Sequence, residues 1–502
     1  MRAAFDKGSG LPSPKMLSPR LLPRRSVVAL VVASLFVAGL LVTSGRLGAR
    51  CDDGVYCGLS QLRHRPAAPR PPPAPPSAGT ESARPVEGAG AECAGFPDTS
   101  RVLLVMKTGA SEVYGKVPNQ ILTNLRCLPE FFIFSDRAQK VAGYSIRDSL
   151  DTVLPQVKLK HKDFDLYRRQ QSCPVDQDAC NKHHDAAQEG WNLDKYKNVH
   201  MAEKTYALRP DYDWYLFVDA DTYVGWPTLM RWLEKLDARE PHYIGSIAYV
   251  GNVPFAHGGS GYLVSQAAMT KLFKNQTGVA NRWDERASRE CCGDFVFALA
   301  LKAETQIAVK HAWPTINGEK PHTLPYADNA WCQPIVTMHH VGAEEVSDLY
   351  AFERERNFSQ PMRIRDVYHR FVKDQLTATR DDWDNLSDNV FFLNASAYQY
   401  ADWELQRAKK EDLSALELVA HQSFDDCRRA CQSMEKCLQF RFYHGICAIS
   451  DSIKHGHPTK KEEDQHWQYQ SGWNLRRIEE WVAAHDDCGA VQFPIRDGWL
   501  RR

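Results

Sequence analysis

The fold of this chain is decided by residues 213–224, which read DWYLFVDADTYV. Apolar and aromatic residues follow one another here without alternation, as in a strand that is buried on both faces of a sheet. The run ends in two carboxylates, Asp219 and Asp221. Carboxylate oxygens bind hard divalent cations, and open α/β sheets bind ligands beyond the carboxyl ends of their strands. We therefore predict a metal site; the alternative is a turn in which both aspartates cap the next helix.

Strand and helix patterns on both sides of this run predict an α/β architecture. Residues 101–109 and 130–136 are apolar runs with polar ends, and residues 117–128 between them have helical spacing. A strand–helix–strand order of this kind predicts a parallel sheet. Residues 190–209 predict another helix, and later strands are predicted over 241–246, 305–313 and 334–341.

The composition limits the classes of function. A chain of 502 residues exceeds what one core usually needs, so two or more units are expected. The 62 basic residues equal the 62 acidic ones, so the charge gives no indication of nucleic-acid binding, and we predict none. The 13 Trp and 19 Tyr permit sugar binding, but aromatic residues also fill cores.

The N-terminal region predicts attachment to a membrane. Residues 26–44 are uncharged and apolar, and they are long enough to cross a bilayer as a helix. Basic residues within 1–25 favour a cytoplasmic tail. The length of that tail and of the apolar run favours a signal anchor over the alternative, a cleaved signal peptide. Residues 45–95 are predicted to be a Pro-rich stalk that cannot form a core.

Cysteines and glycosylation sequons place the rest of the chain in an oxidising lumen. The 14 cysteines indicate disulfides, whose pairing the sequence does not determine. Four Asn-x-Ser/Thr sequons support the same compartment; they begin at Asn275, Asn357, Asn385 and Asn394. We predict a main domain over 96–415 and a Cys-rich module over 416–502 that faintly resembles PAN/apple domains.

Five short motifs occur in order along the main domain: Asp219-Ala220-Asp221, Gly258 to Tyr262, Cys291 to Asp294, Trp331-Cys332, and Met338 to Val341. Together they resemble glycosyltransferase family 31, the inverting β1,3-glycosyltransferases. The subgroup that they resemble comprises the core 1 β1,3-galactosyltransferases and Fringe, in a divergent fungal form. The resemblance covers roughly residues 98–350.

This resemblance implies a GT-A fold, which is a Rossmann-like mixed α/β sheet that binds a nucleotide. It implies a single-pass type II Golgi membrane enzyme with a lumenal catalytic domain. The expected donor is a UDP-sugar, with galactose first and glucose as the rival, and the expected acceptor is a glycan or glycoprotein. The expected cofactor is Mn²⁺, with Mg²⁺ as the alternative. The oligomeric state stays open, with a homodimer among the options.

The resemblance also assigns the central site residues. Asp219, Asp221 and His339 match the metal ligands, and His340 replaces His339 if the alignment slips by one position. The alternative is that these histidines only end a late strand. Asp294 matches the catalytic base, which removes the proton of the acceptor hydroxyl; alternatively it only caps the next helix. The family more often has Glu-Asp where this chain has Gly293-Asp294, so the acceptor contacts stay open.

Further residues match donor or acceptor positions of the family. Lys204 could offset diphosphate charge or be a solvated helix residue. The predicted donor-binding residues are Lys107, Thr108, Ser135, Asp136, Lys204, Ala220, Gly258, Gly259 and Gly261. The predicted acceptor-binding residues are Tyr262 and Trp331.

Two other functions remain open at this point. One is a GT-A transferase for a different sugar or linkage. The other is an inactive lectin-like or adhesion membrane protein whose transferase domain has decayed. The presence of Asp219, Asp221, Asp294 and His339 favours activity.

Overall fold

Residues 214–219 form a middle strand of a mixed eight-stranded sheet in the computed structural model, which describes residues 92–462, 464 and 467–494. From edge to edge the strands of this main sheet are β11 (Lys310–His311), β7 (Tyr243–Gly245), β10 (Tyr262–Ser265), β5 (Trp214–Asp219), β1 (Val102–Lys107), β2 (Phe131–Ser135), β4 (Tyr144–Asp148) and β3 (Gln139–Val141). The predicted α/β class with a central mixed sheet is therefore confirmed.

The carboxyl ends of the parallel strands meet at one edge of the main sheet. Strands β5, β1, β2 and β4 run parallel, so Lys107 lies opposite Asp219 and next to the end of β2. Strand β10 is antiparallel, with Tyr262 opposite Phe217, so the glycine loop before β10 reaches the same edge. This edge thus collects most of the motifs that the sequence singled out.

Both faces of the sheet are buried, as the unalternating strand sequences predict. In β5, Tyr215 and Phe217 belong to the core on one face, and Trp214, Leu216 and Val218 belong to the core on the other. Successive side chains of a strand point to opposite faces of the sheet, so a run that is apolar at every position can pack on both faces.

Helices cover both faces. Their bounds are Val113–Leu122, Pro155–Lys160, Asp165–Ser172, Gln177–Asn181, Ala186–Asp194, Lys197–Leu208, Trp226–Leu233, Gln266–Phe273, Asp284–Ala287, Gly293–Thr305, Ala343–Glu355, Ile364–Phe371, Asp402–Arg407, Ala415–Val419, Phe424–Ser433 and Leu475–His485. The predicted helix over 190–209 is two helices, because the chain turns between Asp194 and Lys197 and directs both side chains into one buried ion-pair network. The helix predicted over 117–128 lies at Val113–Leu122.

Two short strands outside the main sheet bring distant residues together. Strand β6 (Tyr223–Val224) pairs antiparallel with β12 (Thr337–Met338). The N–H of Val341 then donates to the carbonyl of Asp221 at 3.0 Å. The segment after β12 therefore lies beside the segment before β6. Among the other short strands, β8 (Ile247–Val250) and β9 (Val253–Ala256) form a hairpin, and β14 (Trp383–Asp384) pairs with β18 (His457–Pro458).

A separate five-stranded antiparallel sheet forms the C-terminal region. Its strands are β13 (Thr379–Asp381), β19 (Gln470–Trp473), β16 (Gln439–Tyr443), β17 (Ile446–Ser450) and β15 (Val390–Leu393). The sheet takes strands from both sides of the predicted boundary at residue 416, because β13 and β15 precede it. The boundary itself stays a prediction.

Six disulfides join the described cysteines: Cys93–Cys127, Cys173–Cys180, Cys291–Cys292, Cys332–Cys488, Cys427–Cys447 and Cys431–Cys437. The predicted disulfide chemistry is confirmed. The bond between Cys332 and Cys488 closes a sequence separation of 156 residues and fastens the C-terminal segment to the α/β region. A loop of that length corresponds to about 5 kcal/mol of stabilisation in the chain-entropy model.

The predicted tail (1–25), the anchor (26–44) and residues 45–91 of the predicted stalk lie outside the described residues. Within the part of the chain that is described, no helix has the length and apolar character needed to span a membrane. All described residues belong to one compact unit.

Candidate active site

Three candidate metal ligands, Asp221, His339 and His340, meet at the carboxyl edge of the main sheet. One potential ligand atom from each lies within 4.8 Å of the others, and the described residues contain no further group of this kind. The pairing of β6 with β12 brings them together from positions far apart in the sequence. One carboxylate and two imidazoles can bind a divalent transition metal, and this donor set suits Mn²⁺ better than Mg²⁺.

His339 is buried and closely surrounded. Its Nδ1 lies 3.3 Å from Oδ1 of Asp221 and 3.2 Å from Oγ1 of Thr222, whose hydroxyl donates to the carbonyl of Gly259. Burial lowers the pKa of His339 to about 3, although the Asp221 carboxylate opposes the shift. The ring is therefore neutral at physiological pH, and the neutral imidazole is the form that binds a metal.

His340 has an unusual backbone conformation. Its φ is +61°, in the left-handed region, and its ring lies 3.8 Å from that of His339. A histidine costs less there than most residues, but such a conformation persists only where the surroundings hold it and is typical of functional sites. This turn places both rings beside Asp221. The sequence resemblance kept His340 only as the replacement for His339, whereas the geometry groups both.

Asp221 also contacts a cation that sequence reasoning missed. Lys116, from helix Val113–Leu122, has its Nζ 3.2 Å from Oδ2 of Asp221 and 3.0 Å from Oε2 of Glu112. Burial disfavours the charged carboxylate of Asp221, but the Lys116 ammonium and its hydrogen bond favour that form and hold the pKa of Asp221 below its usual value. Lys116 is therefore placed to leave the Asp221 carboxylate and to pair with an anionic ligand that enters the site.

Asp219, the first acid of the motif, is turned to a different partner. Its Oδ1 lies 3.3 Å from Nζ of Lys107, and it is not in the group of three candidate ligands. Burial raises the pKa of Asp219 to about 6, with Lys107 opposing the shift. The assignment of Asp219 as a direct metal ligand stays a prediction; in this conformation its carboxylate is held by Lys107.

Lys107 belongs to a buried ion-pair network at the strand ends. Its Nζ lies 2.6 Å from Oδ2 of Asp194, whose Oδ1 lies 3.4 Å from Nζ of Lys197. Lys197 in turn lies 2.5 Å from Oδ1 of Asp136. Burial opposes the charge on Lys107, but Asp194 and Asp219 outweigh it and raise its pKa well above the usual value. The network fixes the charges around the metal motif.

Asp294, the predicted base, is held beside the glycine loop. Its Oδ2 accepts the N–H of Gly258 at 2.6 Å, and its Oδ1 accepts the N–H of Phe295 at 2.8 Å. A Cβ atom on residue 258 would lie only 3.1 Å from that Oδ2. Gly261 of the same loop has a φ of +83°, which favours glycine. The loop therefore needs glycine to approach the carboxylate this closely.

The other predicted donor-binding residues are divided. Ala220 lines a cavity of about 450 Å³ together with Lys116, Asp221 and His340. That volume lies within the range of ligand sites. The predicted roles of Thr108, Ser135 and Asp136 stay predictions; all three side chains are buried in this conformation. Lys204 does not reach the acidic motif; it donates to the carbonyl of Asp148 at 2.7 Å and pairs with Asp151.

Neither predicted acceptor-binding residue offers its ring to a ligand. Tyr262 is 1% exposed, its ring packs against those of Phe217 and Phe297, and its hydroxyl accepts the side-chain N–H of Asn198 at 3.1 Å. Trp331 is also 1% exposed and packs 5.1 Å from Trp481 of the C-terminal helix. Both assignments stay predictions; in this conformation both rings are enclosed in the core.

Three residues of the site region were missed from the sequence: Lys116, Asp194 and Lys197. Asp194 and Lys197 are three residues apart, a spacing that allows an ion pair along a helix. The local sequence does not distinguish this buried ion pair from the solvated ion pairs that are common on helices. Lys116 has no local signal, because its partner Asp221 is 105 positions away.

Comparison with known proteins identifies part of this region. The family model Fringe, described as Fringe-like, matches residues 160–312. The matched segment contains Asp219, Asp221, the glycine loop and Asp294, and it excludes β1 and both histidines. No curated protein matches the chain. The prediction of a divergent fungal-type member is not tested by this match and stays a prediction.

Proposed function

We propose a specific reaction for this chain, whose residues 160–312 form a Fringe-like domain and thereby indicate a glycosyltransferase of family 31. It transfers a hexose, with galactose as the first candidate, from a UDP-sugar to a hydroxyl of a glycan or glycoprotein. The linkage formed is β1,3, with inversion at the anomeric carbon, and the reaction depends on Mn²⁺.

One observation carries this proposal. Two consecutive glycines contact the predicted catalytic base and a candidate metal ligand. Gly258 donates its N–H to Asp294, and a Cβ atom on Gly259 would lie 2.2 Å from Nε2 of His339. Consecutive Cα atoms are about 3.8 Å apart. A base and a candidate metal ligand are thereby joined through one short loop, as transfer between a metal-bound donor and an adjacent hydroxyl requires.

Asp294 supplies the proton transfer. A sugar hydroxyl is a weak nucleophile, and its attack on the anomeric carbon is accelerated when a positioned carboxylate accepts its proton. Two backbone N–H groups orient the Asp294 carboxylate before substrate arrives. Because a single displacement has no covalent enzyme intermediate, it converts an α-linked donor into a β-linked product.

Asp221, His339 and His340 would hold the metal. A bound divalent cation stabilises the negative charge of the departing nucleoside diphosphate. Lys116 lines the adjacent cavity and pairs with Asp221, so it can turn to an anionic ligand when Asp221 binds the metal. The edge location of this cavity supports a GT-A fold with the UDP-sugar beyond the strand ends.

A donor screen tests the proposal. The purified full-length chain is assayed for UDP release from UDP-galactose and UDP-glucose, with an α-N-acetylgalactosaminyl peptide as acceptor, in Mn²⁺, Mg²⁺ or EDTA. We expect Mn²⁺-dependent release that falls at least about 100-fold in Asp221→Asn and in Asp294→Asn. Asp237→Asn, at an exposed ion pair with Arg239, is the matched control and retains activity.

Two results would contradict the proposal. Turnover that is unchanged in EDTA removes the metal from the mechanism. No release or transfer with either donor favours the alternative of a lectin-like protein with a decayed transferase domain.

We also propose a lumenal, type II location in the Golgi membrane. The anchor over 26–44 lies outside the described residues, so the support comes from elsewhere. Six disulfides among the described cysteines favour an oxidising compartment. Protease protection of the catalytic region in sealed Golgi vesicles is expected, and digestion without detergent would refute the topology.

A further inference from the structure

Two neighbouring cysteines, Cys291 and Cys292, are bonded to each other immediately before the segment that carries Asp294. Both are partly exposed and pack against the core on one face of the main sheet. Cys292 caps helix Gly293–Thr305, and its carbonyl accepts the N–H of Val296 at 3.1 Å. The disulfide ring therefore contains the backbone from which the first helical turn, with Asp294, begins.

This disulfide contributes little to global stability. The entropic contribution of a disulfide grows with the length of the loop that it closes. Cys332–Cys488 spans a separation of 156 residues, whereas Cys291–Cys292 spans a separation of 1. A bond between chain neighbours restricts mainly the torsions of the backbone between them, since the joining peptide becomes part of a small ring. Its effect is therefore local, and it falls two residues before Asp294.

Close packing at Gly293 also restricts this turn. A Cβ atom on Gly293 would lie 2.5 Å from Oδ1 of Asn198 and 2.7 Å from the carbonyl oxygen of Asp194. Lys195 donates to the carbonyl of Ser288 at 3.3 Å. The helix start is therefore fixed by packing on one side and by the disulfide ring at its cap.

We infer that the Cys291–Cys292 disulfide is a positioning element for Asp294: it holds the first helical turn so that the carboxylate faces the acceptor hydroxyl. This inference rests on the proposed function. Productive geometry tolerates displacements of only about 0.5 Å, so freedom in this turn reduces turnover more than donor binding.

The same bond makes turnover sensitive to reduction. An external dithiol transfers two electrons and two protons to the sulfur atoms of Cys291 and Cys292, the S–S bond breaks, and the dithiol becomes a disulfide. The two thiols no longer close the ring. Reoxidation restores the bond and the position of Asp294.

A pair of matched variants tests the inference. Cys291→Ser/Cys292→Ser removes this disulfide, and Cys173→Ser/Cys180→Ser removes another short-range disulfide, with a separation of 7 residues, from the same α/β region. Hydrogen exchange is followed at the amides of Gly258 and Phe295, because both donate to the Asp294 carboxylate. We expect at least about tenfold faster exchange at both amides in the first variant and wild-type exchange in the second.

Kinetics test the catalytic consequence. In the Cys291/Cys292 variant we expect kcat to fall about tenfold or more, with the donor KM within about twofold of wild type. A purely structural role would lower donor affinity and thermal stability together, and the control variant would show the same loss. Either of those patterns overturns the inference.

The outcomes separate this inference from the proposed function. Unchanged exchange at Gly258 and Phe295 overturns the inference even if no transfer is ever detected. Wild-type transfer with full kcat in the Cys291/Cys292 variant overturns the inference and leaves the proposed function standing. If the wild type transfers sugar from none of the donors, the proposed function is overturned. Hydrogen exchange at Gly258 and Phe295 then still decides whether the Cys291–Cys292 disulfide orders the first helical turn.

If the double variant does not fold, the inference is tested on the wild-type protein. Mild treatment with dithiothreitol, followed by alkylation and mass spectrometry, identifies protein labelled only at Cys291 and Cys292. We expect kcat to fall in that fraction, and to return when unalkylated reduced protein is reoxidised. An unchanged kcat in the labelled fraction overturns the inference.

Discussion

Gly259 and His339 are in such close contact that a Cβ atom on residue 259 would lie 2.2 Å from Nε2 of the histidine. Real Cβ atoms do not approach a ring atom so closely, so any side chain at position 259 must displace the ring. The same glycine accepts the Thr222 hydroxyl through its carbonyl. Position 259 therefore sets where a candidate metal ligand lies.

Gly259→Ala is expected to weaken Mn²⁺ binding at least about tenfold, because the displaced His339 ring can no longer complete the ligand group. Calorimetric titration of the purified variant with Mn²⁺ measures this. Gly190→Ala is the matched control: its Cβ would lie 3.8 Å from Cδ2 of Leu166, an ordinary contact in a helix. The control should keep wild-type affinity and gain up to about 1 kcal/mol of stability. Equal affinities in all three proteins would show that His339 does not bind the metal.

Asp136→Asn is expected to destabilise the fold by about 3–5 kcal/mol, since it leaves the buried ammonium of Lys197 without its nearest carboxylate. The Oδ1 of Asp136 is fully buried 2.5 Å from Nζ of Lys197. Chemical denaturation measures the loss. Asp237→Asn, at an exposed pair, should leave the denaturation midpoint unchanged. Adding Lys197→Met should recover part of the loss, and a double variant no more stable than Asp136→Asn would contradict the pairing.

These residues show what the sequence could and could not predict. The position of Asp219 and Asp221 at a strand end was predictable, because unalternating apolar runs of this kind are local signals of buried parallel strands. The parallel strands β1 and β2 were located for the same reason. The partner of each acid was not predictable, because Lys107 and Lys116 reach the motif from other elements.

Local sequence patterns also could not predict which residues of the motifs are buried. Tyr262 and Trp331 stand in motifs that resemble ligand-binding segments, yet both are core residues. Trp331 is covered by a helix more than a hundred positions later, which carries Trp481 and is fastened by the Cys332–Cys488 disulfide. Only the tertiary structure determines that such a ring is enclosed.

Glu353→Gln is expected to make stability less dependent on pH. Burial raises the pKa of Glu353 to about 7, although its hydrogen bond from Tyr223 at 2.6 Å opposes the shift. An acid whose pKa rises on folding contributes stability that is present below its unfolded pKa of about 4.3 and is lost as the pH rises through 7. Removing it should abolish a loss of about 3 kcal/mol between pH 4 and 8.

Denaturation of the wild type and the variant at several pH values between 4 and 8 measures that difference. Glu355→Gln is the control in the same helix, because the side chain of Glu355 is 60% exposed. It should retain the wild-type pH dependence. A Glu353→Gln variant whose stability falls with pH as steeply as that of wild type would contradict the raised pKa.

The four sequons are expected to differ in glycosylation because their asparagines differ in burial. Asn275 and Asn394 are exposed, whereas Asn385 is buried and its side-chain nitrogen donates to the carbonyl of Phe440 at 2.9 Å. A glycan on Asn385 would break that bond and could not be accommodated in the sheet. In protein from a eukaryotic secretory host, peptide mapping after enzymatic deglycosylation should find glycans at Asn275 and Asn394 and none at Asn385.

Single Asn→Gln changes separate occupancy from stability. Asn275→Gln and Asn394→Gln should each remove one glycan and leave the fold intact. Asn385→Gln should remove none, yet lower the denaturation midpoint, because the longer side chain loses its two backbone partners, the carbonyls of Phe440 and Gly472. A glycan at Asn385 in folded protein would contradict its burial. A mature protein without any glycan would contradict the lumenal location, since exposed sequons in that compartment are accessible to the transferase that modifies them.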